Sequence, residues 1–181
     1  MVVLGSGTAC FLNLFAGGHT SEMLALLHSL DPSLYTPMVI VSADTDKKSI
    51  SRYMNENFAF DSTIKTIPRS REVGQSYFSS IRSTFRAFLR CLVLILFEQP
   101  NLLLINGPGT CIPVALVVVL YRILDIIHCR IVFVESFCRV ERLSVSGYLL
   151  YYVADSFVVQ WPQLQKKYPR SVYLGVLMYI V

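Results

Sequence analysis

The segment LLLINGPGTCIPVALVVVLYRILDIIHCRIVFVE, residues 102–135, contains two short apolar runs on either side of a longer one. LLLIN (102–106) and RIVFVE (130–135) have the length and branched residues of strands, whereas IPVALVVVLYRIL (112–124) is long enough for a helix. Strands that are apolar at almost every position are typical of a parallel sheet covered on both faces. The segment therefore predicts a strand-helix-strand unit with two buried, parallel strands.

The same alternation of short strands and longer helices recurs along the chain. Further strands are predicted at FLNLF 11–15 (or VVL 2–4), MVIVSA 38–43, TIKTI 63–67, SFVVQ 156–160 and VYL 172–174. Helices are predicted at 21–30, 46–58, 75–97 and 144–153. This order predicts an α/β fold with a doubly wound, Rossmann-like and mostly parallel sheet. With 181 residues the chain is expected to be one domain, 1–181.

The composition is unusually apolar, with 54% hydrophobic residues, 15% charged residues and a mean hydropathy of +0.52. Disorder is therefore excluded, and contact with a membrane has to be considered. The longest apolar runs, 91–97 and 111–121, are shorter than the roughly 20 residues of a membrane-spanning helix. The net charge of +4 is spread along the chain, which argues against nucleic acid as a partner.

The five cysteines form no CxxC pair and no zinc-type spacing with histidine. We interpret them as reduced thiols of the core and predict no metal site.

Glycine-rich sequence precedes the first predicted helix in two clusters, Gly5-Ser6-Gly7 and Gly17-Gly18-His19-Thr20. In the second cluster the glycines allow close approach of the backbone to a phosphate, and Thr20 or Ser21 can cap the helix. His19 is either a general base at the mouth of the site or a residue that orients the loop. The spacing is not GxGxxG, so a dinucleotide site is only weakly indicated, with Asp44 and Asp46 as candidates for the ribose contact.

Two further candidate sites follow buried strands. Asn106, Gly107, Gly109 and Thr110 lie in NGPGTC between a strand and a helix, where they form either an anion-binding nest or an ordinary tight turn. Glu135 closes the strand RIVFVE, so its carboxylate either faces the same crevice or pairs with Arg139.

Arginines follow another strand in IPRSREV, residues 67–73. Arg69 and Arg71 could meet a diphosphate with paired N–H donors, or they could simply be solvated.

The predicted helix at 76–97 carries three arginines along one flank and apolar side chains on the adjoining arc. Such a helix is either interfacial, lying on a membrane surface, or packed on the sheet with a solvated arginine edge. The apolar composition favours the first interpretation. The candidate membrane-contact residues are Phe78, Ile81, Arg82, Phe85, Arg86, Phe88, Leu89 and Arg90.

Six motifs follow one another along the chain: GGHTSEML, ADTD, IPRSREV, NGPGTCIP, VFVESFCRVERLSVSG and VVQWPQLQKKYPRSVYLG. The match to a known family runs from Gly18 to about Gly175. Taken together the motifs resemble the membrane-anchor subunit of the two-chain N-acetylglucosaminyltransferase of the asparagine-linked glycosylation pathway. The resemblance implies a chain that, with a separate catalytic subunit, adds the second sugar to dolichyl-diphosphate-linked N-acetylglucosamine. It implies location on the cytosolic face of the endoplasmic reticulum membrane.

That family is similar to the bacterial enzyme that makes lipid II, a two-domain GT-B glycosyltransferase, of which this chain would be the N-terminal half. The resemblance implies that Gly18 and His19 belong to a glycine loop that binds the acceptor diphosphate and that Gly107 to Thr110 form a second such loop. Together with the residues proposed above, the candidate acceptor-diphosphate ligands are Gly17, Gly18, Thr20, Arg69, Arg71, Asn106, Gly107, Gly109 and Thr110. The catalytic base is then His19, Glu135 or a group of the partner, and the resemblance does not choose among them. The donor UDP-N-acetylglucosamine would be bound by the partner, and neither a metal nor another cofactor is implied.

The family has one compact loop, GSGGHT, whose two halves match Gly5-Gly7 and Gly18-Thr20 here. We therefore interpret residues 8–17 as an insertion and expect FLNLF to act as the first strand, with residues 1–9 as displaced surplus. The family's N-terminal hydrophobic anchor is not found ahead of the first predicted strand. Either anchoring is expected to depend on the helix at 76–97 and on the partner, or the sequence is an incomplete gene product. The ending LGVLMYIV differs from the family's terminus, which docks on the catalytic subunit.

A second hypothesis has the chain as a stand-alone nucleotide-binding Rossmann module that scaffolds membrane proteins. It predicts stabilisation of the isolated chain by NAD or a free nucleotide and none by a lipid diphosphate.

Overall fold

A computed structural model describes residues 10–14, 18–69, 77–107 and 109–177. Strands and helices alternate along this part of the chain. The strands are β1 (Cys10–Leu14), β2 (Met38–Ala43), β3 (Ser62–Ile67), β4 (Leu102–Asn106), β5 (Arg130–Val134), β6 (Ser156–Val159) and β7 (Ser171–Tyr173). The helices are α1 (Gly18–His28), α2 (Lys47–Asn55), α3 (Tyr77–Glu98), α4 (Cys111–Ile123), α5 (Val145–Leu150) and α6 (Pro162–Lys167).

All seven described strands form one parallel sheet in the order β3-β2-β1-β4-β5-β6-β7. The chain builds outward from β1 to β3, then crosses back and builds from β4 to β7 on the other side. The predicted doubly wound, Rossmann-like fold is thereby confirmed. The direction of winding reverses between β1 and β4, which is the position where such sheets bind their ligands.

The core lies on both faces of the sheet, as the continuously apolar strands predict. On β4, Leu103 and Ile105 belong to the cluster under α3 and α4, whereas Leu104 belongs to the cluster under α1. Successive strand residues point to opposite faces of the sheet. Since helices cover both faces, the apolar side chains on each face are buried. The two layers hold the carboxyl ends of the strands at one edge.

The first strand of the described residues is the one that the sequence favours. FLNLF is expected to provide it, and β1 covers Cys10–Leu14, paired with β2 on one side and β4 on the other. The segment that we interpret as an insertion therefore contains an interior strand of the sheet. The alternative strand at 2–4 and the glycines of the first cluster lie outside the described residues.

Two helix predictions need correction. Helix α1 begins at Gly18 rather than at Ser21, so the prediction of Thr20 or Ser21 as its N-cap is wrong. Helix α6 was not predicted, because its six residues bury only Leu164 and so carry no helical periodicity. The other helices agree with the prediction within a few residues at their ends.

Candidate functional site

The site lies where β1 and β4 are neighbours and the winding of the sheet reverses. Helix α1 begins four residues after β1, and α4 begins five residues after β4. The amino ends of both helices therefore lie at the carboxyl edge of the sheet, where the first turns of helices offer backbone N–H groups.

His19 and Asn106 connect the two halves of this site. His19 is the second residue of α1 and Asn106 is the last residue of β4, and His19 Nδ1 lies 2.9 Å from Asn106 Oδ1 in a hydrogen bond. Asn106 is 1% exposed, whereas His19 is only half-buried. The sequence prediction that these residues share one site is consistent with this contact, which spans 87 positions of sequence.

Gly107 lies directly against the His19 ring. Its φ of +86° is in the left-handed region that glycine adopts without strain. A Cβ at this position would stand 2.6 Å from His19 Cγ and 2.7 Å from Cε1, which is too close for real atoms. Glycine at 107 is therefore required both by the turn after β4 and by the position of the imidazole.

A buried carboxylate, Glu22, lies beneath this pair. Its side chain is 2% exposed and accepts hydrogen bonds from groups at the ends of three strands. Asn106 Nδ2 donates at 2.8 Å, Ser136 Oγ at 2.9 Å, the Phe137 N–H at 3.1 Å and Gln160 Nε2 at 3.4 Å. Glu22 thus joins α1 to the segments that follow β4, β5 and β6.

The threonines and glycines of the two predicted phosphate loops occupy different environments. Thr20 is 1% exposed, and its hydroxyl shares a 2.6 Å hydrogen bond with Ser49 Oγ of α2. Its side chain therefore does not face the crevice as a phosphate ligand would. Thr110 is also buried and precedes α4 without a side-chain capping bond, whereas Gly109 is exposed with open space around it. Gly18 opens α1, and Gly17 lies outside the described residues.

Arg69 lies two residues beyond β3 and is half-buried. Since β3 is separated from β4 by β2 and β1, the two strands are about 14 Å apart at ordinary strand spacing. Arg69 and His19 would therefore contact the same ligand only if a diphosphate extended from His19 toward β3. Arg71 lies outside the described residues, so the predicted arginine pair stays a prediction.

Glu135 does not occupy the position that the sequence suggested. It is 0% exposed, and its oxygens accept from the N–H of Ser136 at 3.0 Å and from the N–H and hydroxyl of Ser144 at 2.9 and 3.1 Å. A Cβ on Gly147 would overlap its Oε2. The interpretation as a carboxylate facing the crevice is therefore wrong in geometry. No ion pair with Arg139 is formed among the described residues, although the positive charge of Arg139 helps to lower the pKa of Glu135.

The environment of Glu135 instead makes it a support for the start of α5. Burial raises the pKa of its carboxyl, and the hydrogen bonds from Ser144 and Ser136 lower it in part. A raised pKa is also a feature of catalytic carboxylates. Full burial decides between the two roles, because a general base has to come within hydrogen-bond distance of a substrate proton.

Helix α3 presents an apolar stripe to the outside. Ile81, Phe85, Leu89 and Val93 are 65%, 61%, 47% and 55% exposed, and the stripe continues to Phe97 at 82%. Exposed arginines at 82, 86 and 90 flank it. Phe88 differs from the prediction, because it packs against the core under α3 and α4. The side chain of Phe78 lies outside the described residues.

No helix in the described ranges has both the length and the apolar character needed to cross a membrane.

Of the five cysteines, three agree with the prediction of buried core thiols, one does not, and the side chain of Cys10 lies outside the described residues. Cys91, Cys111 and Cys129 are buried and reduced, but Cys138 is exposed. Burial raises the pKa of the Cys111 thiol to about 12, so this neighbour of Gly107 stays protonated. It is a packing residue and not a nucleophile.

Sequence reasoning missed Glu22, Ser136 and Gln160, which hold the site together. One signal was available: three apolar strands each end in polar residues, at Asn106, Glu135-Ser136 and Gln160. Polar groups buried at one edge of a parallel sheet need hydrogen-bond partners. The carboxylate of Glu22, the fifth residue of α1, is a suitable one.

Two solved structures share this fold. MurG from Acinetobacter baumannii matches 85% of the chain with a TM-score of 0.62 at 14% identity. A UDP-N-acetylglucosamine 2-epimerase matches 90% with a TM-score of 0.62 at 11% identity. The chain spans only 41% and 44% of the lengths of these two proteins. At such low identity the likeness shows the fold alone, a Rossmann-like unit of the GT-B type.

The sequence matches then give the family. Residues 1–177 match the family described as "Oligosaccharide biosynthesis protein Alg14 like". The human protein named UDP-N-acetylglucosamine transferase subunit ALG14 is 45% identical over 172 residues, covering 88% of this chain and 78% of its own length. Its namesake from Candida albicans is 39% identical over 164 residues, covering 90% and 75%. The chain belongs to the Alg14 family.

Proposed function

We propose that this chain is the acceptor-side subunit of a UDP-N-acetylglucosamine transferase and works with a separate catalytic subunit. In this proposal it binds dolichyl-diphosphate-linked N-acetylglucosamine and recruits the partner to the cytosolic face of the endoplasmic reticulum membrane. The observation that carries the proposal is the contact of His19 with Asn106 and Gly107 at the reversal point of the sheet. Membership of the Alg14 family and the names of the relatives support the reaction class.

The acceptor diphosphate is proposed to lie over the amino ends of α1 and α4. Gly18 and Gly107 remove side chains from the backbone there, and Gly109 has open space beside it. Backbone N–H groups of the first helical turns favour an anion. Since Thr20 is turned toward Ser49, its backbone rather than its hydroxyl is the group in reach.

The donor site is assigned to the partner. The chain spans less than half of the GT-B-type proteins that share its fold, and it supplies one Rossmann-like unit. UDP-N-acetylglucosamine would bind to the partner's unit, so this chain needs no cofactor of its own in the proposal. The two units would face each other across the carboxyl edge of the sheet.

Transfer of the second sugar is proposed to use His19 as the base. The acceptor 4-hydroxyl oxygen attacks the anomeric carbon of the donor, and the bond from that carbon to the β-phosphate oxygen breaks. The hydroxyl proton passes to the imidazole of His19, and UDP leaves with the bonding electron pair. Glu135 is not retained as a base, because it has no exposed surface.

The experiment that tests this function is reconstitution of transfer. The chain is co-expressed with the catalytic subunit and supplied with radiolabelled UDP-N-acetylglucosamine and a phytanyl-diphosphate N-acetylglucosamine acceptor. We expect disaccharide product from the two chains together and none from either alone. Absence of product from a folded, assembled complex contradicts the proposal, and thermal stabilisation of the isolated chain by NAD or a free nucleotide favours the scaffold hypothesis.

Contact with the membrane is proposed to use the exposed stripe of α3. Apolar side chains at 81, 85, 89 and 93 lie on the same side of the helix, with arginines beside them. Amphipathic helices of this kind insert their apolar side among lipid chains and place cations near anionic headgroups. The stripe would hold the site close to a lipid-linked acceptor.

Removing the three arginines is expected to weaken binding to anionic vesicles. Each basic residue near such a surface contributes about 1 kcal/mol, so replacing Arg82, Arg86 and Arg90 with glutamine should lower the partition coefficient roughly 100-fold. Sedimentation with phosphatidylcholine vesicles, with and without phosphatidylserine, measures it. The matched control replaces the exposed lysines 47, 48 and 166, which removes the same charge from other surfaces. An equal loss in both variants would show that only net charge matters.

A further inference from the structure

Glu22 is surrounded by hydrogen-bond donors. Asn106 Nδ2 and Gln160 Nε2 donate to its Oε2, and Ser136 Oγ and the Phe137 N–H donate to its Oε1. Both oxygens therefore act as acceptors, which is what an ionised carboxylate offers. A charge at 2% exposure is costly unless it is fully hydrogen-bonded, and here four donors surround it.

The carboxylate decides how the Asn106 amide is oriented. A carboxylate can only accept, so the NH₂ group of Asn106 has to face Glu22. The amide oxygen is then directed to the other neighbour, His19 Nδ1, at 2.9 Å. Because an amide oxygen carries no hydrogen, the proton in this second bond has to belong to Nδ1.

We propose that Glu22 is a positioning residue that acts through Asn106 to hold His19 in its Nδ1–H tautomer. In the neutral ring the second nitrogen, Nε2, then carries the free lone pair. The inference deepens the proposed function and rests on it, since Nε2 is the atom that would accept the proton of the acceptor hydroxyl. Gly107 contributes by leaving room for the ring in this position.

A carboxylate is needed here, because an amide of the same shape would reverse the donor and acceptor roles in this hydrogen-bond network. In Glu22→Gln one oxygen becomes an NH₂ group that requires an acceptor. On the Oε1 side it would meet the Phe137 N–H, a backbone group that cannot be reoriented. On the Oε2 side it meets the Asn106 amide at 2.8 Å, which can rotate by half a turn and present its oxygen. Gln160 Nε2 is further away, at 3.4 Å, and keeps its shorter bond of 3.0 Å to the carbonyl oxygen of Glu135.

Rotation of Asn106 reverses the tautomer of His19. The amide NH₂ would then face Nδ1, which has to accept, so the proton moves to Nε2. The nitrogen proposed as the base would become a donor. The substitution keeps the number of non-hydrogen atoms and changes the volume little, so its effect on the tautomer is separable from packing.

The first measurement uses the unaltered chain. The protein contains three histidines, so ¹⁵N-histidine labelling gives a spectrum that His28→Gln and His128→Gln variants assign. At about pH 8.5, two units above the usual histidine value, the neutral tautomers are resolved by their ring ¹⁵N shifts. We expect protonated Nδ1 and bare Nε2 for His19. The opposite tautomer in the unaltered chain overturns the proposal, whether or not any variant folds.

The second measurement compares Glu22→Gln with Ser136→Ala. Ser136→Ala removes one donor to Oε1 and leaves the Asn106 bond intact, so His19 should keep its Nδ1–H tautomer. Glu22→Gln should convert it to the Nε2–H tautomer. Retention of Nδ1–H in Glu22→Gln, or conversion in both variants, contradicts the inference.

Transfer by the assembled complex gives an independent readout. Glu22→Gln should lower kcat by roughly 10²- to 10⁴-fold, the usual contribution of general-base catalysis, with little change in KM for the acceptor. Loss of kcat without a change of tautomer would make Glu22 merely structural and overturn the inference. A change of tautomer in a complex that shows no transfer even unaltered would instead refute the proposed function and leave the positioning role intact.

Discussion

Replacing His19 with glutamine is expected to lower the kcat of the assembled transferase by roughly 10²- to 10⁴-fold. Glutamine can still donate an N–H to Asn106 Oδ1, so the contact between α1 and the end of β4 can persist. It offers no nitrogen that takes up a proton near neutral pH, so the attacking hydroxyl loses its base. The KM for the acceptor should change little, because the backbone of the loop is retained.

The matched control for this variant is His28→Gln on the same helix. His28 closes α1 at the opposite end, where its Nε2 lies 2.9 Å from Glu56 and its side chain is 39% exposed. Its loss should leave kcat within twofold, since exposed pairs contribute little. Normal kcat in His19→Gln would show that the base is elsewhere, and the partner would then be the place to look for it.

The strands of the sheet were predictable because their apolar character is visible in short stretches of the sequence. LLLIN, RIVFVE and MVIVSA are apolar at consecutive positions, and the structure buries both faces of these strands. The strand order itself was not predicted, because doubly wound sheets occur in more than one order and local patterns do not choose between them. The general rule placed the site only at the carboxyl ends of the strands, and the structure locates the reversal between β1 and β4.

The roles of individual polar residues were not predictable in this way. Glu135 and Glu22 are both acidic residues at the same edge of the sheet, and local sequence made Glu135 the stronger candidate. Its neighbour Ser144 is nine residues away and turns the carboxylate toward α5. Glu22 bonds to Ser136, 114 residues distant. These hydrogen-bond partners are brought together by the packing of the ends of three strands, and no local sequence pattern predicts that packing.

The outer side of α3 shows the limit of helical periodicity. The period of 3.6 residues correctly places Ile81, Phe85 and Leu89 on one side. The same period assigns Phe88 to that side as well, because Phe88 is only about 100° of rotation away from Leu89. The boundary of the buried arc is set by the packing of α3 on α4 and the sheet, and Phe88 falls within it.

Gly107→Ala is expected to be the most damaging single methyl group that can be added to the site. At φ +86° alanine is strained, and strain of this kind costs about 1–3 kcal/mol. The new Cβ would also stand 2.6 Å from His19 Cγ, so the imidazole has to move. A displacement of about 1 Å at a reacting group can lower the rate 100-fold, and we expect kcat to fall by at least that factor.

Gly109→Ala separates this effect from general sensitivity of the loop. Gly109 lies two residues further along, and a Cβ there would meet nothing within 4 Å. The free energy of unfolding of the Gly109→Ala variant should differ from that of the unaltered chain by no more than about 0.5 kcal/mol, as at ordinary surface positions. Thermal unfolding of both variants and the ¹⁵N spectrum of His19 measure the two contributions. If Gly107→Ala left the His19 resonances and kcat unchanged, the ring would not depend on Gly107. The proposed geometry of the base would then be contradicted as well, because the ring position that Gly107 permits is the one that places His19 Nδ1 against Asn106.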